Sequence, residues 1–184
     1  MSNNRTFKLV QMGVYAALII LAISFIRIPM PSVISNSFVH PGNALVILAA
    51  LLMGFKRGTL SALLGLFIFD VMSGYAAVVH FTLLENLLVL IIVSLIYHYV
   101  FHHQDSMKHI IALGVIGALT KIVIIFVKFV MMQLLLGSAM DAAVSAATAG
   151  MPASLFTGLV TAVLVPVLYF PMKSIFERYH RIGE

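Results

Sequence analysis

Long apolar runs with almost no charge between them decide what this chain can fold into. The stretch 83–100 is one example, and others of similar length follow one another along the sequence. Only 9% of the 184 residues are charged and 62% are hydrophobic, whereas a soluble domain carries about 25% charged residues. So few charges cannot build a water-facing surface, so lipid must be the solvent for most of the outside. Lipid-exposed backbone has to be hydrogen-bonded internally, which leaves helices or a closed barrel. Barrel strands would alternate apolar and polar residues over about ten positions, and the runs here do not alternate. The expected fold class is all-α: a polytopic bundle of six transmembrane helices forming a single integral membrane domain over 1–184. A crossing needs roughly 20 apolar residues, so six spans with short connections use the whole chain and leave no room for a soluble domain.

The spans are expected at 8–26, 41–55, 58–79, 81–101, 109–136 and 151–174. The first resembles the charged and apolar regions of a signal peptide. Its apolar run is too long, however, and Arg27-Ile-Pro-Met-Pro31 follows in place of a small-residue cleavage site, so it reads as a retained span. The second, opened by Pro41-Gly42 and closed by Gly54, is short for a full crossing. Eight of the eleven Lys and Arg (Arg5, Lys8, Lys56, Arg57, Lys108, Lys173, Arg178 and Arg181) fall on one side of these spans, and only Arg27 on the other. The positive-inside rule then puts the N- and C-termini in the cytoplasm. The net charge of +5 is accounted for by topology and anionic headgroups, with no need for nucleic acid. The stretch 27–40, with two prolines, Asn36 and several serines, reads as a structured outer loop. Ser138 with Asp141 fits a capping box and Gly150 a helix stop, so a short helix is expected at 139–148, with Pro152 in the first turn of the last span.

Cysteine is absent, which excludes disulfide and thiolate chemistry. A phosphate loop, a His-Glu-x-x-His motif and a Gly-x-Ser-x-Gly elbow are absent too, and Asp70 is the only aspartate within a span, so no aspartate pair is available for proteolysis. The chain reads as no enzyme, with no cofactor and no metal. What it does carry is a set of intramembrane ionisable residues, each costing about 2.5–3.5 kcal/mol at mid-depth and each a functional candidate by default: Asp70, Glu85, Lys121 and Lys128. Lys121 and Lys128 are seven apart, which returns to within about 20° of one helix face. With Glu85 and its neighbour Asn86 they can line a polar pocket open to the outside, or form a purely structural ion pair. Asp70 reads chiefly as a structural residue, holding a loop by hydrogen bonds to backbone N–H groups or pairing with a lysine. His40, Asn43 and His80 mark the outer ends of spans two and four, where imidazole and amide groups can serve a small heterocycle or simply sit in water. His98 and His102 share a face but lack enough companions for a metal site. Gly13-Val-Tyr-Ala-Ala17 is a small-x-x-x-small step suited to close helix packing, either within the bundle or against another membrane protein.

Several of these pieces together resemble the substrate-binding (S) subunits of energy-coupling-factor vitamin transporters. They are Gly13-x-x-x-Ala17 in the first span, His40-Pro-Gly-Asn and the apolar stretch to Gly54, Gly58 to Gly65 leading to Asp70, and Pro152-Ala-Ser-Leu-Phe-Thr-Gly158 opening the last span. The family's first helix carries Ala-x-x-x-Ala, and here the step is Gly–Ala. The resemblance implies high-affinity binding of a vitamin or precursor in an outward pocket of a plasma-membrane protein. It also implies docking on a shared membrane coupling protein that carries two cytoplasmic ATPases, and inward release by toppling of the subunit. By analogy, Gly13 and Ala17 face the coupling protein, and His40, Asn43, His80, Glu85, Asn86, Lys121 and Lys128 are pocket candidates. Within the family the chain is most similar to the riboflavin-type group that includes hydroxymethylpyrimidine and vitamin B6 (pyridoxine) subunits, so a small hydroxylated ring is expected first and riboflavin second. The rival expectation is a stand-alone proton-coupled secondary transporter using Lys121, Glu85 and Asp70 as a relay; the absence of an internal repeat counts against it.

Overall fold

The structure, a computed structural model, describes residues 2–30 and 37–182. Seven α-helices occupy almost all of them: α1 (Ser2–Phe25), α2 (Gly42–Met53), α3 (Phe55–Met72), α4 (Val79–Leu95), α5 (Met107–Leu135), α6 (Met140–Ala149) and α7 (Pro152–Ile182). Among the described residues four helical segments are long and apolar enough to cross a membrane: Arg5–Phe25, Ala76–Val100, Met107–Leu135 and Pro152–Arg178. Their outward faces are apolar stripes at helical spacing. Leu119, Val123 and Val127 on α5, and Leu155, Leu159, Val163 and Val167 on α7, are all exposed. In water such stripes would be an aggregation hazard, whereas in lipid they are the solvated face.

Two expected spans differ from those read off the sequence. α2 has twelve residues, about 18 Å at 1.5 Å per residue, well short of a hydrocarbon core of about 30 Å. Ten of the twelve are buried inside the protein. Its apolarity all round comes from burial at the centre of the bundle and not from lipid contact. α3 ends at Met72, seven residues before the expected end of the third span, because the chain turns through Gly74 at φ +84°. α3 lies so close to α2 that a Cβ on Gly58 would overlap the Ala49 carbonyl, and one on Gly65 would come within 2.8 Å of the Ala16 carbonyl of α1. Only glycine permits that approach. Hydrogen bonds between helices add to it: Ser61 donates to the Met12 carbonyl at 2.7 Å, and Tyr15 to the Leu45 carbonyl at 3.0 Å.

Within the stretch 27–40, residues 28–30 and 37–39 form a feature with no counterpart in the helical reading. β1 (Ile28–Met30) pairs antiparallel with β2 (Ser37–Val39), with Ile28 opposite Val39. Asn36, named above as part of a structured loop, lies outside the described residues. The short helix near 139–148 is present as α6, but its expected capping box is not. The N-cap is Ala139, and the Ser138 hydroxyl donates instead to Gln133 Oε1 at 3.3 Å. Gly150 closes α6 as expected, in a right-handed conformation with φ −83°. Pro152 opens α7 as anticipated.

The helices alternate in direction, so the bundle has two distinct ends. The hairpin, the turn after α3 and α6 share one of them. At the opposite end Asp105, in the α4–α5 connection, accepts hydrogen bonds from Tyr97 and Lys173, and Lys173 also lies 3.6 Å from Glu177. Burial works against the charged form of Asp105, but the Lys173 ammonium and the Tyr97 and Tyr169 hydroxyls outweigh it and hold the carboxyl below its usual range. His98 and His102 do not converge. His98 Nδ1 lies 2.6 Å from His103 Nε2, and no group of three metal-binding side chains occurs among the described residues.

Candidate functional site

The hairpin end opens into a cavity of about 240 Å³ lined from β2, α2, α3, α4, α5 and α7. At its centre is Glu85, one and a half turns into α4 and only 7% exposed. Lys121 Nζ stands 2.9 Å from Glu85 Oε2, and Lys128 Nζ stands 2.5 Å from Oε1. The seven-residue spacing on α5 makes this arrangement possible. The two lysines rise from one face about 10 Å apart along the axis, and their long side chains converge on a single carboxylate. Each carboxylate oxygen of Glu85 thus faces one ammonium group, Oε2 that of Lys121 and Oε1 that of Lys128. A carboxylate between two ammonium groups leaves one net positive charge in this part of the cavity.

Around this triad the wall is polar on some faces and apolar on others. His40 accepts the Gly42 N–H on Nδ1 at 3.1 Å. Burial, reinforced by Lys121, lowers its pKa to about 4. The ring is therefore neutral near pH 7, and with Nδ1 used as an acceptor its proton sits on Nε2 as a donor. Asn43, the neighbouring α2 residue, also lines the cavity. Asn86 is 2% exposed and donates to the Thr82 carbonyl at 2.7 Å. The cavity floor narrows against Ile47, whose Cδ1 leaves no space for a Cβ on Gly117.

Six of the seven expected pocket residues thus line one cavity: His40, Asn43, Glu85, Asn86, Lys121 and Lys128. His80 does not. It is exposed, and its ring packs against Phe81 with centroids 4.2 Å apart. One turn of α4 separates it from Glu85, and the polar face of that helix passes instead through Thr82, Glu85 and Asn86. Gly13 and Ala17 sit on the exposed side of α1, with nothing within 4 Å of a Cβ built on Gly13, while Ala16 and Ile19 face inward.

Sequence reasoning missed part of the site. Ser154, Thr157 and Thr161 on α7 line the cavity at spacings of three and four. This is a polar stripe in an otherwise apolar helix and was visible in principle from periodicity. Asp70, read above as holding a loop or pairing with a lysine, makes no ion pair among the described residues, and it is its backbone carbonyl that accepts the Tyr75 N–H at 2.8 Å. Its side chain lines the cavity and its Oδ2 is buried without a hydrogen-bond partner.

The long apolar helices define a multi-pass membrane protein, and it carries a charged cavity at one end of them. The family model described as ECF-type riboflavin transporter, S component, matches residues 3–174, and the chain belongs to that family. It is a transport protein and not an enzyme. Neither the curated proteins nor the solved structures give a significant match to this chain.

Removing one member of a buried ion pair costs about 3–5 kcal/mol, while replacing the whole set with apolar residues of similar volume is often neutral or stabilising. Glu85→Ala, which strands two ammonium groups, is expected to lower the melting temperature of the detergent-purified protein sharply. Glu85→Leu combined with Lys121→Met and Lys128→Met is expected to recover most of that loss. Equal melting of Glu85→Ala and the wild type would show that the triad is hydrated and not buried.

Proposed function

We infer that this chain is the high-affinity substrate-binding subunit of an energy-coupling-factor uptake system, and that its cavity holds a small vitamin or precursor with one hydroxylated ring. The observation that carries this reading is the Glu85–Lys121–Lys128 triad lining a cavity of about 240 Å³. Pockets for drug-sized ligands run to about 300–1,000 Å³, so this one favours a single pyridine or pyrimidine ring. Vitamin B6 vitamers and hydroxymethylpyrimidine come first. Riboflavin, with three fused rings and a ribityl chain, comes second, although the family is named for it. The net positive charge beside Glu85 suits an acceptor oxygen such as a ring phenolate, and the His40 Nε2–H suits a further acceptor.

The working screen is a thermal shift of the purified protein against pyridoxine, pyridoxal, hydroxymethylpyrimidine and riboflavin. A ligand at about 100 times its Kd stabilises by about 2.7 kcal/mol, which raises the melting temperature visibly. The triple variant Glu85→Leu, Lys121→Met and Lys128→Met is expected to remain folded and to lose affinity at least tenfold, since hydrogen bonds to charged groups contribute about 1.5–3 kcal/mol. Full affinity in that variant would remove the lysines from the site. No shift from any of the four would move weight to a proton-coupled transporter.

The proposed orientation has the hairpin end outside, both termini in the cytoplasm, and six crossings counting the short α2 and α3. The support is charge asymmetry: eight of eleven Lys and Arg lie toward the end opposite the hairpin. Lys56, in the first turn of α3, is expected to resist a membrane-impermeant amine label in intact cells and to react once the membrane is opened. Labelling in intact cells would reverse the topology.

The proposed partners are a membrane coupling subunit and two cytoplasmic ATPase subunits, as the family implies. The exposed Gly13 and Ala17 on α1 would accept a close helix from the coupling subunit. Gly13→Leu with Ala17→Leu is expected to abolish co-purification of the complex while ligand binding by the isolated subunit stays within about twofold of wild type, since neither side chain lies at the cavity. An intact complex would discard this docking face.

A further inference from the structure

The cavity has two chemically different sides. On one, Lys121 and Lys128 converge on Glu85. On the other are Asp70, at the end of α3, and three aromatic rings. Phe38 from β2, Phe69 from α3 and Tyr75 from the turn after α3 all line the cavity, with ring centroids 6.2 to 6.5 Å apart in each pairing. Asp70 is 6% exposed.

A buried carboxylate oxygen without a donor carries its full desolvation penalty, and native structures hold few of them. Asp70 holds the following turn through its backbone carbonyl, and its side chain takes a hydrogen bond from Thr82 while Oδ2 stays without a donor. Lys121 acts on it only at longer range, and no ion pair to Asp70 occurs among the described residues. The rings beside it are electron-rich, and the Arg27 guanidinium already stands 5.8 Å over Phe38. A carboxylate beside such rings prefers a cationic donor on a flat aromatic group.

The geometry points to Asp70 as a specificity-determining residue that accepts a hydrogen bond from a ring N–H of the ligand, while Lys121 and Lys128 hold an oxygen elsewhere on the same ring. This rests on the reading of the cavity as a vitamin site and narrows its ligand to a hydroxypyridine in its zwitterionic form. Such a molecule carries a pyridinium N–H and a phenolate oxygen at separate ring positions, one for each side of the cavity. Charge balance agrees. Asp70 and Glu85 oppose Lys121 and Lys128, so a ligand with equal positive and negative charge enters without leaving net charge buried.

The experiment compares two ligands against three proteins by calorimetry: pyridoxine and its analogue with the ring nitrogen replaced by C–H, each titrated into wild type, Asp70→Asn and Asp70→Glu. Ligand-free melting curves check that each variant is folded, and Asp70→Glu keeps the carboxylate if Asp70→Asn fails to fold. Wild type is expected to prefer pyridoxine by about 10-fold to 100-fold, the range of one hydrogen bond to a charged group. Asp70→Asn is expected to shrink that preference to within about threefold, and Asp70→Glu to keep at least part of it. Undiminished preference in Asp70→Asn, equal binding of both ligands by wild type, or loss of preference in Asp70→Glu with Asp70→Asn unfolded would each overturn the assignment. If wild type binds riboflavin and not pyridoxine, the Asp70 assignment falls while the substrate-binding subunit stands. If it binds none of the four compounds screened above, the reading of the cavity as a vitamin site falls with that assignment.

Discussion

A carboxylate held between two ammonium groups inside an apolar bundle is the arrangement on which the rest of the site depends. Glu85 cannot be left alone at that depth, and neither lysine can. Each requires the others within ion-pair distance, and this fixes how α4 and α5 stand against each other. The same charges keep apolar side chains from closing over them. The neighbouring positions are accordingly small: Gly117 and Ala118 on α5, and Ala153 and Gly158 on α7, all line the cavity. A cavity in a packed bundle ordinarily costs stability in proportion to the contacts it forfeits. Here the polar lining makes the space suitable for water or a polar ligand instead of a void.

The sequence made some of this legible and hid the rest for identifiable reasons. Lys121, Lys128 and Glu85 stood out because a charge in a spanning helix is expensive wherever it points, so their importance needed no knowledge of packing. The helical spacing of the lysines then gave their common face. α2 was harder, because a twelve-residue helix buried on all sides has the same apolar composition as a short segment in lipid, and composition cannot tell protein from hydrocarbon as the surroundings. The hairpin was missed because its two strands of three residues fall below any periodicity signal. Asp70 was seen but assigned to the turn that follows or to a pairing with a lysine. Its backbone does serve that turn, and only the spatial arrangement reveals a side-chain oxygen left without a partner. His80 had the chemistry of a ligand-binding residue but stands on the face of α4 away from Glu85, a distinction that one residue of helical phase decides.

The position of α2 bears on how a solute could leave. Ile47 of α2 lines the cavity at the hairpin end, while Leu51 and Leu52, one turn further on, line a second cavity of about 290 Å³ at the opposite end, beside Asp105 and Lys173. Between them the helix is packed solid: Leu48, Ala49 and Ala50 are each at most 4% exposed. The two cavities are thus separated by about one turn of a helix that forms the centre of the core. Opening a passage there would require α2 to lose contacts against α1, α3 and α7 at once, and truncating a single buried leucine already costs about 2–5 kcal/mol. Asp105 further ties the α4–α5 connection to α7 through Lys173 and Tyr97, which opposes splaying of the helices at that end. A bundle so reinforced at its centre and at one end is better suited to moving as one body than to opening along its axis. That agrees with the toppling of the whole subunit that the family resemblance implies, in which the energy of nucleotide hydrolysis reaches the site through a partner and not through a channel in this chain.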